Sequence, residues 1–367
     1  KVEGLLDGQG PDRGQLCRKG RFDVMKSPAS RLREPMVRDE NGTWREAGWD
    51  EAFDRVRGAL KAAGGPALWG LVSSRCSNEE IIAFKQLAAQ DWGAGRLDTL
   101  DGRHFRITAA ARENGASFDE ASWRTIPSSD FVLLVGAGLK ENHPIIISLI
   151  RRAVMENKAK AAVVGRVNPL GDWARLFLPA EADELEPMLR GLLAHSGSVS
   201  DREYAELVRL FRSSRDPVLI VGEGLTGAAD PIGLKRALDV ASLKGRLVIL
   251  KPNGNSAGAW KLGAASVEAM NGKGPYTAGL MCLGGGETLE PNVEGRLGGL
   301  KFLAVMTPYM TEDLVALAHV LIPRPTWLEM EGTYTSADGS REVFKQKVLE
   351  PPRGIRTAEQ TMAALGR

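Results

Sequence analysis

Short runs of aliphatic and β-branched residues recur along this chain, separated by stretches whose apolar positions return with helical spacing. The first such helix follows Trp49: Phe53, Val56 and Leu60 share a face, Asp50 is placed to cap it, and Gly64-Gly65-Pro66 to stop it. A strand over 67–72 comes directly after. Further strands are expected at 131–135, 161–164, 218–221, 247–250, 279–283, 302–305 and 320–323, with helices at 144–156 and 231–242 between them. Runs without polar alternation have no solvent-facing side, so the pattern predicts an α/β fold of parallel sheets covered by helices on both faces.

Ahead of this body, residues 1–50 are rich in Gly, Pro, Arg and Asp, and Glu40-Asn41-Gly42-Thr43 predicts a hairpin. That part reads as a small β-containing N-terminal cap. The polar stretch 194–215 carries few strand signals and places a lobe boundary near residue 200. The expected organisation is a cap over 1–50, an α/β lobe over 51–200, a second over 201–330, and a turn-rich return with a terminal helix over 331–367.

Length and charge narrow the classes. A chain of 367 residues, 43% hydrophobic, exceeds the roughly 250–300 residues at which single cores stop growing, so more than one lobe is expected. Basic and acidic residues nearly cancel, 48 against 46, which gives no general field for nucleic acid or an anionic surface. No run approaches the roughly 18 apolar residues of a spanning helix, so direct membrane insertion is not expected. The sequence opens on Lys1 rather than Met, residues 1–14 lack the apolar core of a secretory signal, and Cys17, Cys76 and Cys282 make no even disulfide framework. A cytoplasmic protein is expected, peripheral to a membrane through partners if at all.

Several loops carry candidate chemistry. Cys17 sits among glycines and the cations Arg18, Lys19 and Arg21, surroundings that favour the thiolate, the form that ligates iron. From this chemistry alone an ordinary loop cysteine is the favoured reading, since a cubane cluster needs four thiolates and the next cysteine is Cys76. Cys76 and Cys282 are expected to pack as small apolar residues. Gly222, Gly224 and Gly227 follow one strand and Gly136 and Gly138 another, as in loops that cradle phosphate. A structural strand-to-helix turn is the competing reading, and Lys251 stands where a ribose-binding acid would be expected. His143, at the start of the helix after Gly138, could meet a ligand at the sheet's carboxyl edge, although capping or packing is the commoner fate. His104 could act as a ligand or base, without a second His or Cys at ligand spacing. His195 and His319 have no company that suggests chemistry.

Taken in order, these segments resemble the molybdopterin oxidoreductase superfamily, above all the large iron–sulfur subunit of respiratory complex I, the NADH dehydrogenase, and related formate dehydrogenase alpha subunits. Leu16-Cys17-Arg18-Lys19-Gly20-Arg21-Phe22 is similar to the segment holding the fourth cysteine of the family's N-terminal 4Fe-4S cluster. Ser73-Ser74-Arg75-Cys76-Ser77-Asn78-Glu79-Glu80 resembles its Ser-Arg-x-x-Asn-Glu-Glu turn. Gly136 to Pro144 resembles its Gly-x-Asn-x-x-x-x-His-Pro loop, and Glu331-Gly332-Thr333-Tyr334-Thr335-Ser336-Ala337-Asp338-Gly339 its Glu-Gly-Thr strand.

The resemblance implies two Rossmann-like lobes, Cys17 as a cluster ligand with the other three upstream of Lys1, and Lys19 at the position that passes electrons between cluster and pterin. It implies family cofactor loops at Gly136, Gly138, His143, Gly222 and Gly224. The departures weigh as much. Where catalytic relatives carry a metal-ligating Cys or selenocysteine followed by His, the stretch 97–105 has neither sulfur nor selenium, so a soft ligand is missing. The sequence also stops soon after the Glu-Gly-Thr segment, without the C-terminal barrel that encloses the second pterin.

The expectation is therefore a non-catalytic iron–sulfur or scaffold subunit of a multi-subunit electron-transfer oxidoreductase, without molybdopterin and with iron–sulfur and flavin subunits as partners. One alternative is a formate-dehydrogenase-like subunit that holds molybdenum or tungsten pterin through Asp101 or His104. Another is a nucleotide-binding module using Gly222, Gly224 and Gly227.

Overall fold

The computed structural model describes residues 3, 14, 16–22, 30–100, 123–194, 202–226, 246–264, 274–289, 291–336, 341–343 and 347–366. In chain order the strands are β1 (Met36–Arg38), β2 (Trp44–Glu46), β3 (Leu68–Val72), β4 (Arg96–Thr99), β5 (Phe131–Val135), β6 (Lys160–Val164) and β7 (Leu176–Leu178). They continue with β8 (Pro217–Val221), β9 (Arg246–Ile249), β10 (Ala278–Cys282), β11 (Phe302–Thr307), β12 (Val320–Pro323), β13 (Thr333–Thr335) and β14 (Arg341–Val343). Each expected strand is present within a residue or two. β4 and β7 were not foreseen, being short edge strands with charged or irregular neighbours.

The chain forms two compact units. One comprises residues 1–26 and 104–252, the other 27–103 and 253–367. The boundary expected near residue 200 falls inside the first unit, because β5 and β8 on either side of it pair in parallel from Phe131↔Pro217 to Val135↔Val221. The polar stretch behind that expectation holds the helix Arg202–Ser213, which buries Leu207, Leu210 and Phe211 beneath a charged outer face. Composition does not mark the actual crossings, since each unit joins segments far apart in sequence.

The first unit is a parallel sheet in the order β7-β6-β5-β8-β9. Successive β5 side chains serve opposite faces, as a strand's twofold period requires: Phe131, Leu133 and Val135 enter one core and Val132 and Leu134 the other. The helix Pro144–Glu156, begun by proline at a position that needs no N–H, covers one face with Ile146, Ile147, Leu149, Ile150 and Ala153.

The second unit is built on a seven-stranded sheet, β2-β1-β12-β11-β10-β3-β4. Its β10, β11, β12, β3 and β4 run parallel, and the β1–β2 hairpin adds antiparallel at one edge. The hairpin predicted from Asn41-Gly42 is there: Asp39 Oδ1 accepts from the Asn41 and Thr43 amides, and Gly42 takes φ +82°. The helix Trp49–Ala63 buries Ala52, Phe53, Val56 and Leu60 and ends where Gly64, at φ +76°, donates to the Leu60 carbonyl. Gly48, not Asp50, is its N-cap; Asp50 lies in the first turn, where its charge meets the positive end of the helix dipole. β13 and β14 form a separate antiparallel pair. Among the described residues no helix is long and apolar enough to cross a membrane.

His319 precedes β12 and is consumed by packing. Its Nδ1 accepts the Leu303 amide at 3.2 Å, and its ring lies 5.5 Å from that of Phe302. Burial, followed by Arg38 and Arg55, pushes its pKa below the ordinary 6.5. A base whose folded pKa is depressed contributes fully above its unfolded value, and that contribution is lost as pH falls from about 6.5 toward the folded value. Urea unfolding should show a midpoint that drops between about pH 7.5 and 5.5. His319→Asn, which keeps an acceptor at the Nδ1 position without the titration, should flatten that drop.

Candidate functional site

Cys17 is half-buried just before the helix Arg18–Phe22. Its sulfur accepts the Gly20 amide at 3.3 Å, and its carbonyl accepts the Arg21 amide at 3.0 Å. Lys19 is exposed on that helix. An amide donated to a sulfur stabilises negative charge there and is one of the ways a protein tunes a cluster ligand.

β5 and β8 are neighbours, so the glycine loops leaving their carboxyl ends meet. The Gly222 amide donates to the Val135 carbonyl and the Gly224 amide to the Gly136 carbonyl, each at 2.9 Å. Gly136 adopts φ +63°, and a Cβ at Gly222 would lie 2.4 Å from Cα of Ala137. A Cβ at Gly224 would fall 2.9 Å from the Gly136 carbonyl oxygen. The glycines bring one loop onto the other, which is the structural turn weighed against the phosphate cradle.

Gly138 caps the short helix Leu139–Asn142 and has open space around its Cα. The half-buried His143 links that helix to Pro144–Glu156, its carbonyl accepting the Ile146 amide at 3.0 Å. Lys251, 8% exposed, folds back to donate to the Ile249 carbonyl at 3.3 Å. Gly227, the helix expected at 231–242, Asp101, His104 and His195 lie outside the described residues.

In the second unit the Asn-Glu-Glu turn is the start of the helix Asn78–Lys85, closed by a capping box between Ser77 and Glu80. The turn, the loop before the helix Ser256–Lys261, and the Glu-Gly-Thr strand share one polar network. Asn255 Nδ2 donates to the Cys76 carbonyl at 2.9 Å and to Asn78 Oδ1 at 3.1 Å, while its Oδ1 accepts the Thr335 amide at 2.7 Å. Asn78 Nδ2 donates to Thr333 Oγ1 at 3.1 Å. Glu79 accepts the Thr333 amide at 2.8 Å and its hydroxyl at 2.6 Å. Burial raises the Glu79 pKa, but these hydrogen bonds outweigh it and hold the carboxyl below its ordinary value. Gly258 admits the network, since a Cβ there would lie 2.2 Å from Asn255 Oδ1 and 2.4 Å from Asn78 Oδ1.

Beside it, Arg324 follows β12 and is 1% exposed. Its guanidinium pairs with Glu80, donates to the Leu283 carbonyl and reaches Cys76 Sγ at 3.3 Å. Burial raises the Glu80 carboxyl and works against the Arg324 charge, but the neighbouring Glu80 carboxylate holds that guanidinium protonated. Cys76 and Cys282 are both fully buried free thiols, as expected of small core residues, and the fold brings their sulfurs to 3.8 Å. Burial pushes the Cys76 thiol well up, which keeps it protonated. Sequence reasoning missed Asn255 and Arg324. A charged residue directly after the buried run 320–323 was the one available signal.

Among the described residues no three His, Cys, Asp or Glu side chains gather as metal ligands. In the stretch where catalytic relatives place sulfur, Asp98 is buried on β4 and accepts from Trp69 Nε1 at 2.8 Å and Arg96 Nε at 2.6 Å. Asp98 is thus taken up by two donors of the fold and, as a carboxylate, supplies no soft ligand. Cys17, carrying one amide on its sulfur, suits a single corner of a cluster and would supply one thiolate to it.

These features define an α/β protein with one parallel and one mostly parallel sheet, each covered on both faces, and motif loops at their carboxyl ends. The family described as Molybdopterin oxidoreductase matches residues 31–366, and the chain belongs to that family. It is 24% identical to an NADH-quinone oxidoreductase subunit of Rhizobium meliloti (strain 1021) over 93% of this chain and 48% of that protein. It is 30% identical to the putative formate dehydrogenase YrhE of Bacillus subtilis (strain 168) over 44% of this chain and 17% of that protein. The chain thus spans less than half the length of these relatives. A similar solved fold occurs in the formyltransferase/hydrolase complex FhcABCD from Methylorubrum extorquens, with TM-score 0.67, 16% identity, and coverage of 90% of this chain and 97% of that one.

Proposed function

We propose that this chain is a non-catalytic subunit of a multi-subunit electron-transfer oxidoreductase, complex I-like or a soluble relative, in which the family's body serves as scaffold. The observation that carries this reading is the use of the motif's polar groups: Asn78, Glu79, Thr333 and Thr335 are spent on Asn255 and on one another. Groups so engaged stiffen a fold and have less left to offer a cofactor. Missing sulfur in 97–105 points the same way. Cys17 would supply one ligand of a 4Fe-4S cluster, with Lys19 beside it. Partners would be iron–sulfur and flavin subunits, and any membrane association would pass through them from the cytoplasmic side.

The nucleotide-binding alternative is weakened because Gly222 and Gly224 serve the contact between two loops. A second setting for the same scaffold is a one-carbon assembly of the formyltransferase/hydrolase kind, favoured by the match across 97% of that chain. The test is purification of the intact complex from its native source, followed by metal analysis, pterin fluorescence and identification of the co-purifying chains. The expected result is no stoichiometric molybdenum or tungsten, no pterin, and iron that falls when Cys17→Ser replaces the native chain. Flavin and iron–sulfur partners would support the electron-transfer setting and formyltransferase subunits the other. Molybdenum or tungsten with pterin in stoichiometric amount would overturn the scaffold reading in favour of a formate-dehydrogenase-like enzyme using Asp101 or His104.

A further inference from the structure

Cys282 ends β10, Cys76 stands in the turn that follows β3, and the two strands pair in parallel with Cys282 opposite Val72. Backbone bonds fold that turn back: the Ser73 amide donates to the Cys282 carbonyl at 2.8 Å and the Cys76 amide to the Ser73 carbonyl at 3.1 Å. Two sulfurs 206 positions apart are thereby held at 3.8 Å. A disulfide needs about 2.05 Å, a shortfall small enough to be met by side-chain rotation with the strands left paired.

Core packing alone does not call for the cation beside them. Arg324, while paired with Glu80, places Nη1 3.3 Å from Cys76 Sγ and 4.0 Å from Cys282 Sγ. The same guanidinium therefore meets whichever sulfur ionises, and a thiolate is the form that attacks an oxidant. Both cysteines are 0% exposed, and burial holds the resting Cys76 thiol protonated, so the reaction waits on local opening. Such an opening admits a small uncharged oxidant and excludes a bulky one.

We propose that Cys76 and Cys282 are an oxidative modification site, joined by small peroxides into a disulfide that locks the turn before the helix Asn78–Lys85 to the end of β10. One thiolate attacks a peroxide oxygen, the O–O bond breaks, and hydroxide leaves a sulfenic acid on that sulfur. The second sulfur attacks it, the S–S bond forms, and water leaves with the remaining proton. In sum the thiols lose two electrons and two protons, and hydrogen peroxide becomes two waters. The link bears on the motif network, because the Cys76 carbonyl accepts from Asn255 Nδ2 at 2.9 Å and Ser77 caps the helix. The inference does not rest on the scaffold reading. A metal–pterin signal would sink that reading and leave this one intact.

The test treats the full chain carrying Cys17→Ser, in which Cys76 and Cys282 are the remaining thiols, with hydrogen peroxide or with oxidised glutathione. Peroxide is expected to remove both thiols, as titrated after unfolding, and to raise the urea midpoint by about 0.5 M or more, since the link closes a long loop of the unfolded chain. Dithiothreitol should restore both values. Oxidised glutathione, a bulky disulfide, should do neither. Mass mapping of tryptic peptides from the peroxide-treated native chain should find Cys76 joined to Cys282, which covers the case in which Cys17→Ser does not fold. Persistence of both thiols, oxidation of each cysteine without a link, or a link that leaves the midpoint unchanged or lower would overturn the proposal. Equally rapid linking by oxidised glutathione would overturn the selection by size.

Discussion

Arg324→Leu is expected to destabilise the second unit by about 3–5 kcal/mol, because it strands the Glu80 carboxylate in the core. Arg324 and Glu80 are each 1% exposed, and the guanidinium also serves the Leu283 carbonyl and the Cys76 sulfur. At that depth bulk solvent cannot take over the lost contacts. The loss should appear as a lower urea midpoint at neutral pH. It should shrink at acid pH, where protonation relieves an unpaired carboxyl whose pKa burial already raises. Adding Glu80→Gln should recover part of the stability, since a neutral amide costs less to bury than a lone charge. If Arg324→Leu alone unfolds at the native midpoint, the ion pair contributes little and Glu80 has another counter-charge.

Asn255→Ala should cost about 3 kcal/mol, from several buried partners lost together at about 1–3 kcal/mol each. The Cys76 carbonyl and Asn78 Oδ1 each lose a donor, and the Thr335 amide loses its acceptor. Thermal melting gives the size of the effect. Hydrogen exchange gives its place: the Thr335 amide should exchange faster while those of β5 and β8, in the other unit, keep their protection. Unchanged exchange at Thr335 would show that β13 is held by other contacts.

Much of the fold was legible because the central strands are apolar on both faces. Runs such as 131–135 and 320–323 have no polar alternation, and only a doubly covered parallel strand suits them. The organisation into units was less so. Nothing local in 67–72 says that its neighbour in the sheet is 278–282, and the amphipathic helix Arg202–Ser213 resembles a linker when only its charges are counted. The glycines at 136, 222 and 224 were visible as a motif, but whether a close approach serves a ligand or another loop depends on which strands are neighbours. The network around Asn255 was hidden for the same reason: amide side chains occur in many loops, and it is burial that makes these ones consequential. The thiols of Cys76 and Cys282, separated by 206 positions, meet only because β3 and β10 pair.

That pairing also dictates an order of events during synthesis. The strand at 68–72 can pair early with β4 on one edge but gains β10 on the other only when 278–282 has left the ribosome, by which time every segment of the other unit has already appeared. Until then the β10-facing edge of β3 stays open to the cell, with long-range closure still ahead of it. The intervening unit, assembled first, would hold the two halves of the later sheet on one tether, so that the nascent chain matures from its middle outward.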